Sequence, residues 1–331
     1  MPFYNHFEQI TGQYNANDAS IAIFNAAARG QVVVVEKILA TKGDNRPSVH
    51  AVGEALGIAA EYDQVAVVEK ILATKGDIRP RAYDVGKALR YAAEYGREAV
   101  VEKILNTEDG NKPDAGAVGS ALFGAAANGQ LAIVEKILAI KANNRPSANE
   151  VGWALGIAVE KGHMPVVEKF LAIKADNKPS ANTVVFALVA AANKCWWEVF
   201  NKILAITAYD ELDTFATSKV LIAASMGGLW PVVEKILDIK GDNKPSAHSV
   251  GQALSIAAEY GQVAVVEKIK ATTANNQQDA DLGQTTEATQ SESIEPIGSR
   301  GFFSGANAAD VGIDATAQHN SGPTPGKSSI N

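Results

Sequence analysis

Val67-Val68-Glu69-Lys70-Ile71-Leu72-Ala73 is one copy of a block that returns along the chain every 33 residues. Its glutamate falls at Glu36, Glu69, Glu102, Glu135, Glu168, Glu234 and Glu267, with Asn201 filling the one gap. Eight copies in register, with no insertion between any two, specify stacked repeats rather than a globular enzyme domain. Such a stack offers an extended surface. The sequence therefore speaks to the kind of task performed, not to the molecule it is performed on.

Outward from that block, the rest of one repeat reads Pro47-Ser48-Val49-His50-Ala51-Val52-Gly53-Glu54-Ala55-Leu56-Gly57-Ile58-Ala59-Ala60, then Glu61-Tyr62-Asp63-Gln64. Val52, Leu56, Ala59 and Ala60 follow helical spacing, and so do Val67, Val68, Ile71 and Leu72. Each repeat is thus two short amphipathic helices joined by a tight turn. The turn carries Gly30, Gly96, Gly129, Gly162, Gly228 or Gly261, while Asp63 and Cys195 depart.

The start of the first helix is marked by Pro47, Pro80, Pro113, Pro146, Pro179 and Pro245, a series broken by Leu212. A proline there disfavours helix in the residue before it and stops run-on from the preceding helix. The next residue is Ser48, Asp114, Ser147, Ser180, Asp213 or Ser246, each an N-cap former, and only Arg81 fails. Ser147-Ala148-Asn149-Glu150 makes a capping box. Gly53, Gly86, Gly119, Gly152 and Gly251 lie inside the first helix and read either as a hinge or as a close helix–helix approach. Val185 and Ser218 at the same position favour close approach, because a β-branched residue is strained at positive φ.

The composition is 47% hydrophobic and only 7% aromatic, so Ala, Val, Ile and Leu carry the packing. Net charge is −7. Residues 271–331 hold seven acids against Arg300 and Lys327, which leaves about −2 on the repeat body. A near-neutral body lacks the basic footprint of nucleic-acid binding. Cys195 is the only cysteine, consistent with a reducing compartment. No Sec-type signal and no membrane-spanning stretch is read, so a cytoplasmic location is expected.

Leu254, Ala257, Ala258, Gly261, Gln262, Val265, Val266 and Ile269, with the 33-residue period, resemble the ankyrin repeat, and His163 supplies that family's His after Gly. The likeness covers residues 18–270. The Thr-Pro-Leu-His opening is absent, with Glu54-Ala55-Leu56-Gly57 in its place. The finger motif is only echoed in Gly43-Asp44-Asn45 and Gly241-Asp242-Asn243. The resemblance implies an all-α, ankyrin-like α-solenoid of stacked helix–turn–helix repeats, its first helix lengthened at the expense of the usual β-hairpin finger. Residues 1–17 are an N-terminal extension, 18–270 the eight-repeat solenoid and 271–331 a polar tail expected to be disordered. Lys270 replaces the leucine of other copies and gives the last repeat a polar outer face.

No phosphate loop, zinc spacing or nucleophile elbow is present, and His6, His50, His163, His248 and His319 are scattered. No cofactor or metal is expected. The Glu-Lys pairs read as a solvated outer face. Tyr62, Tyr95 and Tyr260 read as lids over the core. The exposed column of the first helix runs Glu54, Lys87, Ser120, Trp153, Phe186, Lys219, Gln252. Trp153 and Phe186 sit there on adjacent repeats, while Trp197 and Trp230 share a column at the start of the second helix beside Trp196. These five aromatics read either as a protein-binding hot spot or as repacking around the irregular sixth repeat.

As in ankyrin proteins generally, the resemblance implies a non-enzymatic, monomeric scaffold that binds another protein through the first-helix and loop face. The alternative is a bacterial effector secreted into a host cell, with the tail as export signal.

Overall fold

The computed structural model describes residues 16–107, 112–141, 144–173, 178–206 and 212–281, with side chains through residue 274. The expectations for residues 1–15 and 282–331, including most of the tail and an export signal, lie outside the described residues. Among those described there are sixteen α-helices, three short 3-10 turns and no strand.

They alternate as first and second helices: α1 (Ala16–Ala28) and α2 (Val32–Leu39); α3 (Val49–Glu61) and α4 (Val65–Leu72); α5 (Ala82–Glu94) and α6 (Glu98–Leu105); α7 (Ala115–Ala127) and α8 (Leu131–Leu138). The series continues with α9 (Ala148–Lys161) and α10 (Met164–Leu171); α11 (Ala181–Asn193) and α12 (Trp197–Ile206); α13 (Thr214–Met226) and α14 (Trp230–Leu237); α15 (Ala247–Glu259) and α16 (Val263–Asp281). Each first helix packs on the first helices before and after it, and each second helix packs on its own first helix; most second helices also meet the next one along the stack. This is an all-α solenoid of helix–turn–helix units stacked in sequence. Helix α16 continues through Asp281, past residue 270 where the tail was expected to begin.

Every turn closes in one way. The residue ahead of each second helix donates its backbone N–H five residues back, to Ala26, Ala59, Ala92, Ala125, Ala158, Ala191, Ala224 or Ala257. This closure needs a left-handed residue in between. Glycine supplies it six times, from φ 67° at Gly30 to 84° at Gly162, and Asp63 and Cys195 adopt 59° and 56°.

At the other end, Ser48, Asp114, Ser147, Asp213 and Ser246 accept from the backbone three residues on, as expected of N-caps. Arg81 cannot cap with its own side chain, and the Asp84 carboxylate accepts from its backbone N–H at 3.0 Å instead. Ser180 is the exception to its expected role: its hydroxyl donates to Asn149 Oδ1 at 2.6 Å and lies 2.7 Å from Thr183 Oγ1. The capping prolines are buried, and Leu212 is buried in the same slot.

The core lies between the helix layers. Val52, Leu56, Ala59, Ala60, Val67, Val68 and Ile71 are fully buried, as are their counterparts in the next repeat. Alanine at the contact lets first helices approach closely, and the helical glycines extend this. A methyl added to Gly86 would stand 2.9 Å from Ala117 Cβ, and one on Gly53 would stand 2.4 Å from Asp84 Cγ. The glycine column is close approach, not a hinge.

Candidate functional site

Residues at the second, sixth, ninth and thirteenth positions of a thirteen-residue first helix lie on one stripe, since these spacings follow whole helical turns. Along that stripe the second position is exposed and the sixth at least partly so, while the ninth is buried at Gly57, Gly156, Val189 and Ile222. Five successive repeats each place a partly or fully exposed aromatic there: Tyr83, Phe123, Trp153, Phe186 and Phe215. Tyr83 and Phe215 are 64% and 63% exposed and Trp153 is 38% exposed. Tyr83, Phe123 and Phe215 were missed in reading the sequence because only the column containing Trp153 was followed. The position four residues earlier faces the same way, and its sequence, His50, Tyr83, Gly116, Asn149, Asn182, Phe215, His248, carries the signal for Tyr83 and Phe215, while Phe123 stands three residues after the followed column.

Polar groups on this stripe are paired, either between repeats or along one helix. Lys87 Nζ donates to Glu54 at 2.7 Å, and Arg90 donates to Glu94 at 3.1 Å while covering the Tyr91 ring at 4.7 Å. Partial burial pulls the Lys87 ammonium down, but the Glu54 hydrogen bond and charge outweigh it and hold the group above its usual value. Lys219 covers the exposed Phe215 ring at 5.4 Å.

The five aromatics singled out in the sequence fall into two columns with different environments. Trp153 is on the stripe. Phe186 is there too but half-buried, its ring edge 2.0 Å from where a β-carbon on Gly156 would be. Trp196 rests on the turn glycine Gly162, with Lys194 over its ring at 5.1 Å. Trp197 covers Gly227 and meets Phe200 edge-on, with ring centres 6.0 Å apart. Trp230 is half exposed at the start of α14. Three of the five therefore fill space left by a glycine of a neighbouring repeat, while Trp153 and Trp230 present open faces.

Trp196 also occupies an otherwise polar column. Gln64, Arg97, His163 and Gln262 each reach back to a carbonyl ending the previous first helix, at Ala28, Glu61, Ala127 and Met226, over 2.8–3.4 Å. Trp196 and Leu229 replace these polar side chains with apolar ones, so repeats six and seven are joined to their predecessors differently at this point.

On the second helices, the Glu-Lys pairs are not merely solvated. Lys70 reaches Glu36 of the previous repeat at 2.5 Å, Lys103 reaches Glu69 at 2.6 Å, Lys136 reaches Glu102 at 3.2 Å and Lys169 reaches Glu135 at 2.8 Å; Lys268 pairs likewise with Glu234. The hydrogen bond to Glu36 raises the Lys70 amine. In repeat six Lys202 turns to Glu198 on its own helix at 2.8 Å, which raises the lysine and lowers the carboxyl. Asn201, where a glutamate is usual, removes the next step of the ladder. Being exposed, each pair contributes little alone.

Tyr62, Tyr95 and Tyr260, read from the sequence as lids, share one environment. Each stands at the end of a first helix and is about half exposed, because the left-handed residue after it turns the chain away. The Glu61 and Glu94 charges raise the Tyr95 hydroxyl. Among the described residues, no group of three or more His, Cys, Asp or Glu is placed to hold a metal, and no helix is long and apolar enough to cross a membrane. No protein-family model matches the chain, and no curated protein matches it.

Proposed function

We propose that this protein is a non-enzymatic repeat scaffold, of a divergent ankyrin type, that holds a partner protein against the exposed stripe of its first helices. One observation carries the reading: five consecutive repeats each place one aromatic side chain on the same face, and Tyr83, Trp153 and Phe215 among them are exposed. Aromatic anchors ringed by polar neighbours are the usual source of binding energy between proteins. Here Lys87, Arg90, Lys219 and Glu54 supply the polar neighbours, and a rigid stack holds the anchors at fixed spacing, which lowers the ordering cost of association. The Trp153 side of the aromatic cluster belongs to this surface. Phe186, Trp196 and Trp197 support it from within the stack.

The test is affinity capture from lysate of the source cells with the full chain, wild type against Tyr83→Ala/Trp153→Ala/Phe215→Ala. These three side chains are exposed, so circular dichroism and melting should stay unchanged. Two lost hot spots at about 2 kcal/mol each weaken binding roughly a thousandfold. Undiminished recovery of a specific partner by the triple variant would remove this surface from consideration.

A further inference from the structure

A groove that shares no residue with the aromatic stripe opens between the first two repeats, at the ends of α2 and α4. A 3-10 turn at Gly76–Ile78 closes one side of it, and the space measures about 650 Å³, which is the size of a ligand site. Four cations, Lys42, Arg46, Lys70 and Lys75, stand in its lining against two carboxylates, Glu36 and Asp77. Two of the cations are engaged. Lys70 holds Glu36 at 2.5 Å, and Arg46 donates to Asp77 Oδ2 from both terminal nitrogens at 3.4 Å. Among the described residues neither Lys42 nor Lys75 takes part in an ion pair, and both are exposed.

These two lysines do not act as caps either. The carbonyls ending α2 accept from the N–H groups of Ala40 and Thr41 and from the Thr41 hydroxyl, and those ending α4 accept from Ala73, Thr74 and the Thr74 hydroxyl in the same way. The groove therefore holds a surplus of two positive charges that its own structure does not use. Much of the remaining lining is apolar and includes Leu39, Ala73 and Ile78. Ile78 stands where Asn45 and Asn243 stand in the corresponding turns, so this turn has an apolar residue where the others have an amide.

We propose that this groove is a separate docking site that takes an extended acidic segment of a partner protein, with an apolar side chain set among its carboxylates. Charge complementarity selects the carboxylates, which meet Lys42 and Lys75. Those lysines lie on adjacent repeats, about 8–10 Å apart, and three residues of extended chain span about 10 Å. The apolar side chain rests against Leu39 and Ile78. A nucleic-acid backbone fits less well: it brings no apolar group to that surface, and Glu36 and Asp77 repel its phosphates. The site stands or falls independently of the aromatic stripe.

Fluorescence anisotropy of the full chain with a fluorescein-labelled peptide of repeated Asp-Asp-Leu units tests this. Binding should saturate and should weaken severalfold between about 50 and 200 mM salt. Lys42→Ala/Lys75→Ala should weaken it about tenfold, with circular dichroism unchanged because both side chains are exposed. A peptide of Asp-Asp-Ser units should bind about fivefold more weakly than the leucine peptide. Lys240→Ala/Lys244→Ala is the control. These lysines are also exposed and stand in the columns of Lys42 and Arg46, but α16 runs on to Asp281 beside them where α4 gives way to a turn, so affinity should not change. The proposal is overturned by binding that does not saturate, by a Lys42/Lys75 variant that binds as wild type does, or by a control variant that loses as much. A serine peptide that binds as tightly as the leucine peptide also overturns it, as does an oligothymidylate that displaces the peptide at lower concentration than unlabelled peptide does.

Discussion

Two glycines in one column, Gly152 and Gly251, should respond to the same substitution with opposite sign. A β-carbon on Gly152 would lie 1.8 Å from Thr183 Oγ1, 2.6 Å from Thr183 Cβ and 3.3 Å from the Thr183 carbonyl carbon. Rotating Thr183 removes the hydroxyl clash but not the contact with Cβ, because Cβ is fixed to the backbone. Carbon atoms pack at about 3.5–4.0 Å, so α9 and α11 must part by roughly 1 Å. Overpacking of this kind costs about 1–3 kcal/mol. Displacing the Thr183 hydroxyl from Ser180, where it lies 2.7 Å from Oγ and 3.0 Å from the carbonyl, adds about 1 kcal/mol. Alanine's helix preference over glycine returns about 1 kcal/mol. Gly152→Ala is therefore expected to lose about 2 kcal/mol. Gly251→Ala meets nothing within 4 Å and should gain about 0.5–1 kcal/mol. Urea denaturation of dilute protein, followed by far-UV circular dichroism and by tryptophan fluorescence, measures both. The two probes are needed because repeat arrays can unfold in parts. A neutral or stabilised Gly152→Ala, or a Gly251→Ala as damaging as its partner, would refute the reasoning.

Three further outcomes are expected. The Ser225 hydroxyl is fully buried without a hydrogen-bond partner, in a column that is alanine in six of the eight repeats; Ser225→Ala should raise stability by about 1 kcal/mol in the same denaturation assay. The lysines held by carboxylates, Lys87, Lys70 and Lys202, have raised values in the folded state, so their contribution is complete below lysine's ordinary 10.5 and is lost as pH rises through the folded value. Melting temperature should therefore fall above about pH 10.5, and Lys87→Met, measured alongside, should show a shallower alkaline decline. Glu198 runs the other way: its lowered value stabilises above the ordinary 4.5 and loses that as pH falls.

Much of the fold was legible because the repeat prints its own periodicity eight times. Helix starts at Ser48, Asp114 and Ser246 and turns at Gly30 and Gly162 depend on the φ angle or hydrogen-bonding capacity of a single residue, which a sequence displays directly. The ends were less legible. The extension of α16 to Asp281 runs through residues with no strong stop signal, where composition suggested a tail. Among site residues, Trp153 was read correctly as open to solvent. Phe186 and Trp197 could not be recognised as fillers, because the hollows that receive them belong to Gly156 and Gly227, some thirty residues away.

The sequence by itself determined the unit: two amphipathic helices, a left-handed turn, a proline-led cap, repeated without slippage. Those features rest on local physics, helical period and backbone preference, acting within a few residues. The tertiary structure alone decided which glutamate each lysine reaches and which glycines are filled by a neighbouring side chain. Each of these is a contact between residues about one repeat apart, so it is decided by how one layer is set against the next.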